Sequence, residues 1–274
     1  MNRTLFVILI FKACFGAAQS QSVQQHDSVS MKPFTSVLYS DGRDFVDCIA
    51  LRFHEATHPD GSSLISVGIV VGTTASLFFA DQSIRSFAER SHSSLNDNIL
   101  TAAENYGDSR NAILLSGSIY GTGLLFGYPE IRKTGTMLME SLLWTGVVTT
   151  MIKATFGRSR PYMNEGNVRF HGIQFNDHYW SFPSGHSAVA FTLSSVLSER
   201  IHNTAASIGL YSLAGMTALA RVYHNDHWFS DVFLSAVIGT SIGMAVASDN
   251  EKVSNLSSIH VFLLPNGFGF TLEL

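Results

Sequence analysis

Six long stretches with almost no charge recur along this 274-residue chain, and they constrain its fold more than any other feature. They run from Leu64 to Ala80, Ala112 to Gly127, Thr136 to Ile152, Ser187 to Leu197, Thr204 to Ala220 and Val232 to Ala247. Each exceeds the roughly 4–8 residues of a buried strand, so each is read as a buried helix. The chain is 46% hydrophobic and only 14% charged, which is ample for a sizeable core. The expected fold is all-α, one bundle of about six core helices, with no repeat or linker dividing it.

The flanking segments are more polar. Residues 21–60 read as an extended lead-in with turn signals at Asp41-Gly42 and Pro59-Asp60-Gly61, ahead of a helical domain over 61–250. Residues 81–111 read as shorter surface helices starting near Asp81 and Ser94, and Tyr128-Pro129 as a helix stop. In the tail, 251–274, Ile259 to Leu264 and Phe268 to Leu274 suggest a short β-hairpin across Asn266-Gly267. Residues 1–20 carry Arg3, the apolar run Leu5 to Phe11 and the small residues Gly16-Ala17-Ala18, the pattern of a secretory signal. That pattern places the protein in the cell envelope, outside the cytoplasm, either in the periplasm or in the membrane with a periplasm-facing site. Cys14 falls inside the signal, so Cys48 is left alone and is read as a small buried hydrophobe. A net charge of -4 supplies no basic field for nucleic acid.

Whether the helices cross a membrane is balanced at this level. Their length is near the lower limit for a span. Glu140 would be costly facing lipid, and the helix after His186 reaches only to Glu199-Arg200. A cleaved signal followed by six spans would turn the loops 153–186 and 221–231 to the cytoplasm, so an outward site requires an uncleaved leader, fewer spans or a soluble bundle. Membrane association, peripheral or integral, is the expectation. Oligomeric state is not readable.

The functional-looking charges cluster between Lys153 and Asp231, at the ends of these helices. Lys153, Arg158 and Arg160-Pro161 follow one helix, and Arg160 held extended before proline can reach inward as a two-pronged oxyanion clamp. Pro183-Ser184-Gly185-His186 opens another, where backbone N-H groups at a helix start can hold an anion. His227 and Asp231 stand four apart, within reach on one helical face, with Arg221 just upstream. Each cluster alone has an ordinary structural explanation: a basic loop, a helix cap, a buried His-Asp pair. His224, Asp226, His227 and Asp231 could also be read as a metal site. Three such clusters in one chain, all at helix ends, point to an oxyanion site with proton and nucleophile chemistry.

Taken together the residues resemble the type-2 phosphatidic acid phosphatase superfamily, which includes bacterial acid phosphatases, lipid phosphate phosphatases and vanadium haloperoxidases. Its three motifs are matched by Lys153 with Arg160-Pro161, by Pro183-Ser184-Gly185-His186, and by Arg221 with His227 and Asp231. The resemblance in helical pattern covers about residues 61–248. It implies a helical phosphatase whose active site sits at helix ends, hydrolysing phosphomonoesters or diphosphates, most plausibly lipid phosphates. In that scheme His227 is the nucleophile that forms a phosphohistidine, Asp231 orients it, and His186 is the general acid. Lys153, Arg160, Ser184, Gly185 and Arg221 bind the phosphate, and neither metal nor other cofactor is called for. A secreted acid phosphatase on soluble phosphomonoesters is the alternative, with a vanadium-dependent haloperoxidase behind it. One departure is Ala220, where the family usually has Ser. Arg158, His224 and Asp226 match no required position and are read as possible substrate contacts.

Overall fold

The computed structural model describes residues 34–57, 61–253, 259–264 and 267–272. The signal read over residues 1–20 lies outside the described residues. Among the described residues there are eight α-helices: α1 (Phe34–Thr57), α2 (Gly61–Arg90), α3 (Ser94–Gly107), α4 (Ser109–Leu125), α5 (Pro129–Phe156), α6 (Gly185–Ile201), α7 (Thr204–Tyr223) and α8 (Phe229–Val253). Two strands follow, β1 (Ile259–Leu264) and β2 (Gly267–Leu272), paired antiparallel with Leu264 opposite Gly267. The fold is all-helical in its body.

Local chemistry explains most of the boundaries. Ser93 caps α3 by accepting from the Asn96 N-H at 3.2 Å, and Asp108 caps α4 by accepting from Arg110 and Asn111 at 3.0 Å each. Pro129, read from sequence as a stop, is instead the first residue of α5, where its missing N-H is not needed. Gly157 ends α5 with φ of 58°, a left-handed turn that suits glycine.

Two sequence expectations are revised. Residues 34–57 are helical rather than extended, and Asp41 is no turn residue. It accepts from Arg132 at 2.7 Å and from the Tyr120 hydroxyl at 3.0 Å, so long-range pairing to α4 and α5 overrides its local turn preference. Asp81 does not start a surface helix either. It lies inside α2, 1% exposed, because Arg158 and Ser230 satisfy its carboxylate there.

The bundle is built around α6. Along it Ser187 to Ala190 and Thr192 to Leu197 are buried, and α5, α7 and α8 pack on its sides. The α6–α8 approach depends on glycine: a Cβ on Gly239 would lie 2.3 Å from the Ala188 carbonyl oxygen. Buried hydroxyls are paired. The Thr145 and Thr192 hydroxyls meet at 2.8 Å, Tyr106 and Ser194 at 2.9 Å, and Ser194 donates to the Leu210 carbonyl at 2.8 Å. Glu140 is likewise inside, at 1% exposure, so its carboxylate does not face outward as the sequence left possible.

The outside is apolar. Three helices are long and apolar enough to cross a membrane by length and composition: Gly61–Arg90, Thr204–Tyr223 and Phe229–Ser248. On α2 only Thr74, Asp81 and Ala88 are buried, while Ile65, Ile69, Val71 and Phe79 are exposed, Phe79 at 92%. An exterior this apolar needs a non-aqueous neighbour.

Helix direction sets the site. α2, α5 and α7 bring their C-terminal ends, and α6 and α8 their N-terminal ends, to one end of the bundle. There Arg158, just past α5, reaches both Asp81 of α2 and Asp231 of α8. The short α3 packs across this end, Thr217 of α7 donating to its Ala103 carbonyl at 2.8 Å. α1 sits at the other end, through Asp41 and Arg132.

The α6–α8 contact gives a stability prediction. Gly239→Ala must displace the Ala188 carbonyl and is expected to cost about 2 kcal/mol, the scale of core overpacking. Gly215→Ala on α7 meets no atom within 4 Å and serves as the neutral comparison. Thermal midpoints of the detergent-solubilised variants decide it, and equal midpoints would contradict the packing described.

Candidate active site

All eight residues singled out for the site arrive at the same end of the bundle. Lys153 sits in the last turn of α5 and donates from Nζ to the Trp180 carbonyl at 2.5 Å. Arg160 follows the left-handed Gly157 turn and is held by Asp177, through the carbonyl at 2.9 Å and the carboxylate at 2.7 Å. Ser184 is the N-cap of α6 and Gly185 its first residue, with Lys153 Cε 4.0 Å from where a Gly185 Cβ would stand. The N-terminal amides of α6 therefore lie beside the Lys153 ammonium, a combination suited to an anion.

Arg221 is at the end of α7, and its side chain is gripped by two carboxylates. Nη1 donates to Glu104 at 2.6 Å and Nη2 pairs with Asp226 at 2.8 Å. Its Nε-H is buried without a partner among the described residues. A buried guanidinium donor left open is a ready contact for an arriving oxyanion.

His227 sits in the loop between α7 and α8, 3% exposed. Its main chain is pinned by donation from the His227 N-H to the Arg221 carbonyl at 3.1 Å. Its Nδ1 lies 2.7 Å from the Ser181 carbonyl oxygen, which can only accept, so the proton is on Nδ1. Nε2 of the neutral ring then carries a free lone pair. The Asp231 carboxylate is 3.7 Å from Nδ1, too far for a hydrogen bond. Asp231 instead accepts from the Ser181 hydroxyl at 2.5 Å and the Trp228 N-H at 2.8 Å, so it fixes the residues that flank the ring.

His227 is held well below the usual histidine range. Burial is the main cause, and the positive charges of Lys153, Arg160 and Arg221 add to it, opposed by the Ser181 carbonyl. The cations that suit an oxyanion are thus the ones that keep the ring neutral. His186, in the first turn of α6, is half-buried and lies in the field of Arg221, Glu104, Asp108 and Asp226.

The three residues left as possible substrate contacts are placed otherwise. Arg158 is fully buried behind the site, between Asp81 and Asp231. His224 Nδ1 meets Glu104 at 2.9 Å, and Asp226 is taken up by Arg221. Sequence reasoning missed Asp81, Glu104, Asp177 and the Ser181 carbonyl. A lone carboxylate ending an apolar run was the available signal for Asp81. Glu104 and Asp177 sit in polar segments and carried none.

Residues 134–254 match the family model of the PAP2 superfamily. A Lipid A 1-phosphatase from Porphyromonas gingivalis is 31% identical over 153 residues, 54% of this chain and 30% of that protein. Lipid phosphate phosphatase 1 from Arabidopsis thaliana is 32% identical over 133 residues, 38% of this chain and 41% of that protein. The matches thus span less than half the length of both curated relatives. Among solved structures, the first transmembrane PAP2 type phosphatidylglycerolphosphate phosphatase from Bacillus subtilis shares the fold, with a TM-score of 0.52 at 20% identity, over 68% of this chain and 94% of that one.

A neutral His227 makes a pH prediction. Carbethoxylation by diethyl pyrocarbonate needs the unprotonated ring, and its rate at His227, followed by peptide mass spectrometry, should fall by half only below pH 6.5, the ordinary histidine value. A midpoint at or above 6.5 would mean that the cations do not act on the ring as described.

Proposed function

We propose that this chain, whose residues 134–254 match the PAP2 superfamily model, is a membrane-embedded phosphatase of that family that hydrolyses lipid phosphates, monoesters or diphosphates, through a phosphohistidine on His227. The observation that carries the reading is the His227 tautomer: Nδ1-H given to the Ser181 carbonyl, and a free Nε2 in the field of Lys153, Arg160 and Arg221.

The chemistry follows from that arrangement. The substrate phosphate is held by Lys153, Arg160 and Arg221, with Ser184 and the Gly185 N-H at the start of α6, which spreads positive charge over the oxygens where the transition state is most negative. The Nε2 lone pair attacks phosphorus, and the P–O bond to the leaving alcohol breaks as His186 delivers its proton to that oxygen. His186, now neutral, takes a proton from water, whose oxygen attacks the phosphohistidine and releases phosphate and free His227. Asp231 stabilises the ring as positive charge grows on it. Every step uses side chains of this chain, and no metal is assigned a part.

The lipid substrate is supported by the apolar exterior of α2, by the three span-length helices, and by relatives named as phosphatases of lipid A and of lipid phosphates. A bundle immersed to the level of its spans would hold the site at the membrane surface, where a phosphate headgroup lies. The sequence pattern of residues 1–20 supports a site outside the cytoplasm. Since α2 carries the chain from α1 to the site end, an outward site puts α1 inside.

Two measurements bear on this. Reconstituted in liposomes, the protein should release phosphate from phosphatidate with EDTA present, and His227→Ala should lower the rate by about a thousand-fold or more, roughly 4 kcal/mol of barrier. Activity confined to soluble aryl phosphates, or vanadate-dependent halide oxidation without phosphate release, would overturn it. For topology, a membrane-impermeant maleimide on intact cells should label Ile173→Cys, which is 74% exposed at the site end, and spare Tyr39→Cys on α1, which is 75% exposed. The reverse pattern would place the site in the cytoplasm.

A further inference from the structure

We propose that Arg158 and Asp81, neither of them a required position of the three motifs, are positioning residues that hold His227 in its attacking tautomer. The proposal deepens the phosphohistidine reading and rests on it. The connection runs through Asp231. Arg158 Nη1 donates to Asp231 Oδ1 at 2.5 Å and to the Ser230 hydroxyl at 2.8 Å. Its Nη2 donates to Asp81 Oδ2 at 2.7 Å, and its Nε to the Asn167 carbonyl at 2.9 Å. Asp81 in turn accepts from the Ser230 N-H at 2.9 Å and the Ser230 hydroxyl at 2.6 Å.

With Oδ1 taken by Arg158, Asp231 has a fixed plane and turns Oδ2 to the Ser181 hydroxyl and the Trp228 N-H. The Arg158 main chain holds Ser181 from the other side, its carbonyl accepting the Ser181 N-H at 3.1 Å. Ser181 is therefore gripped at its hydroxyl and its amide, and its carbonyl is what receives the His227 proton. Arg158, Asp81 and Asp231 are all fully or almost fully buried, and a charged cluster so placed is not needed for packing alone, since apolar side chains of similar volume stabilise such sites as well or better. What apolar side chains could not do is fix the direction of the Asp231 carboxylate. A guanidinium fork is suited to that task, and an ammonium is not.

The cluster also sets charge behind the ring. The groups facing His227 are Lys153 from α5, Arg160 with Asp177 from the following loop, the Ser181 carbonyl, His186 from α6, Arg221 from α7 with Glu104 of α3 and Asp226 beside it, and Asp231 from α8. Behind Asp231 stand Arg158 and Asp81, so the buried trio of two carboxylates and one guanidinium carries one net negative charge. Asp81→Asn removes that charge and disfavours the imidazolium, whereas Arg158→Lys keeps the charge and loses the fork.

The two variants therefore differ in signature. In full-length protein reconstituted with phosphatidate, both should lower kcat by about ten-fold with KM within two-fold, because neither residue touches substrate. The pH midpoint of His227 carbethoxylation should move down in Asp81→Asn and stay put in Arg158→Lys. Folded fractions are matched first by thermal midpoint and size exclusion in detergent. Variants that fold less well but keep wild-type kcat and the wild-type midpoint in the folded fraction would show mere scaffolding and overturn the proposal, as would a rise in KM with kcat unchanged. If Arg158→Lys does not fold, Asp81→Asn decides alone. If the wild type releases no phosphate, the phosphatase reading fails, and the carbethoxylation midpoint still tests the link from Asp81 to His227.

Discussion

A guanidinium with no exposure to solvent is the most demanding group in this molecule. Arg158 lies at 0% exposure with Asp81 and Asp231 on either side, and removing one partner from such a cluster costs about 3–5 kcal/mol because an uncompensated charge stays buried. Satisfying it ties the end of α5 to the C-terminal third of α2 and the start of α8, three elements distant in sequence. The loop carrying Ser181 and the loop carrying His227 are then closed onto the same carboxylate. The precision of the site is thus a consequence of where one buried charge finds its partners.

The same logic of satisfied polar groups runs through the rest of the bundle, where paired hydroxyls are set among apolar core side chains such as Leu138, Leu193 and Val196, and the outside is apolar too. Hydroxyls of Thr145, Thr192, Ser194 and Tyr106 pair with one another between helices, and glycine at 239 lets α6 and α8 come close enough for backbone contact. Meanwhile α2 turns Ile, Val and Phe side chains outward. That apolar exterior fits a protein solvated by hydrocarbon, where small residues and hydrogen bonds help hold helices together. Under the proposed reading, a phosphate site at the end of such a bundle would stand where lipid headgroups lie.

Much of this was legible in the sequence. The six stretches with almost no charge fall largely within helices, and the motif positions Lys153, Arg160, Ser184, Gly185, His186, Arg221, His227 and Asp231 do converge. What was not legible depended on partners far away in the chain. Asp41 and Asp81 look like turn or cap residues locally, and partners distant in sequence, Arg132 and Tyr120 for Asp41 and Arg158 and Ser230 for Asp81, hold them within helices, Asp81 fully buried. Pro129 illustrates the opposite ambiguity, because proline both follows helices and starts them. The spacing of His227 and Asp231 suggested a direct bond, yet the Ser181 carbonyl takes the ring proton and Asp231 acts on the residues around it.

The central claim is that His227 is the nucleophile. Rapid quenching of the reconstituted protein during turnover of 32P-labelled phosphatidate, followed by peptide mapping, tests it most directly. The account predicts acid-labile, alkali-stable label on the peptide containing His227, absent from His227→Ala. Label on another residue, or steady turnover by His227→Ala, would contradict it.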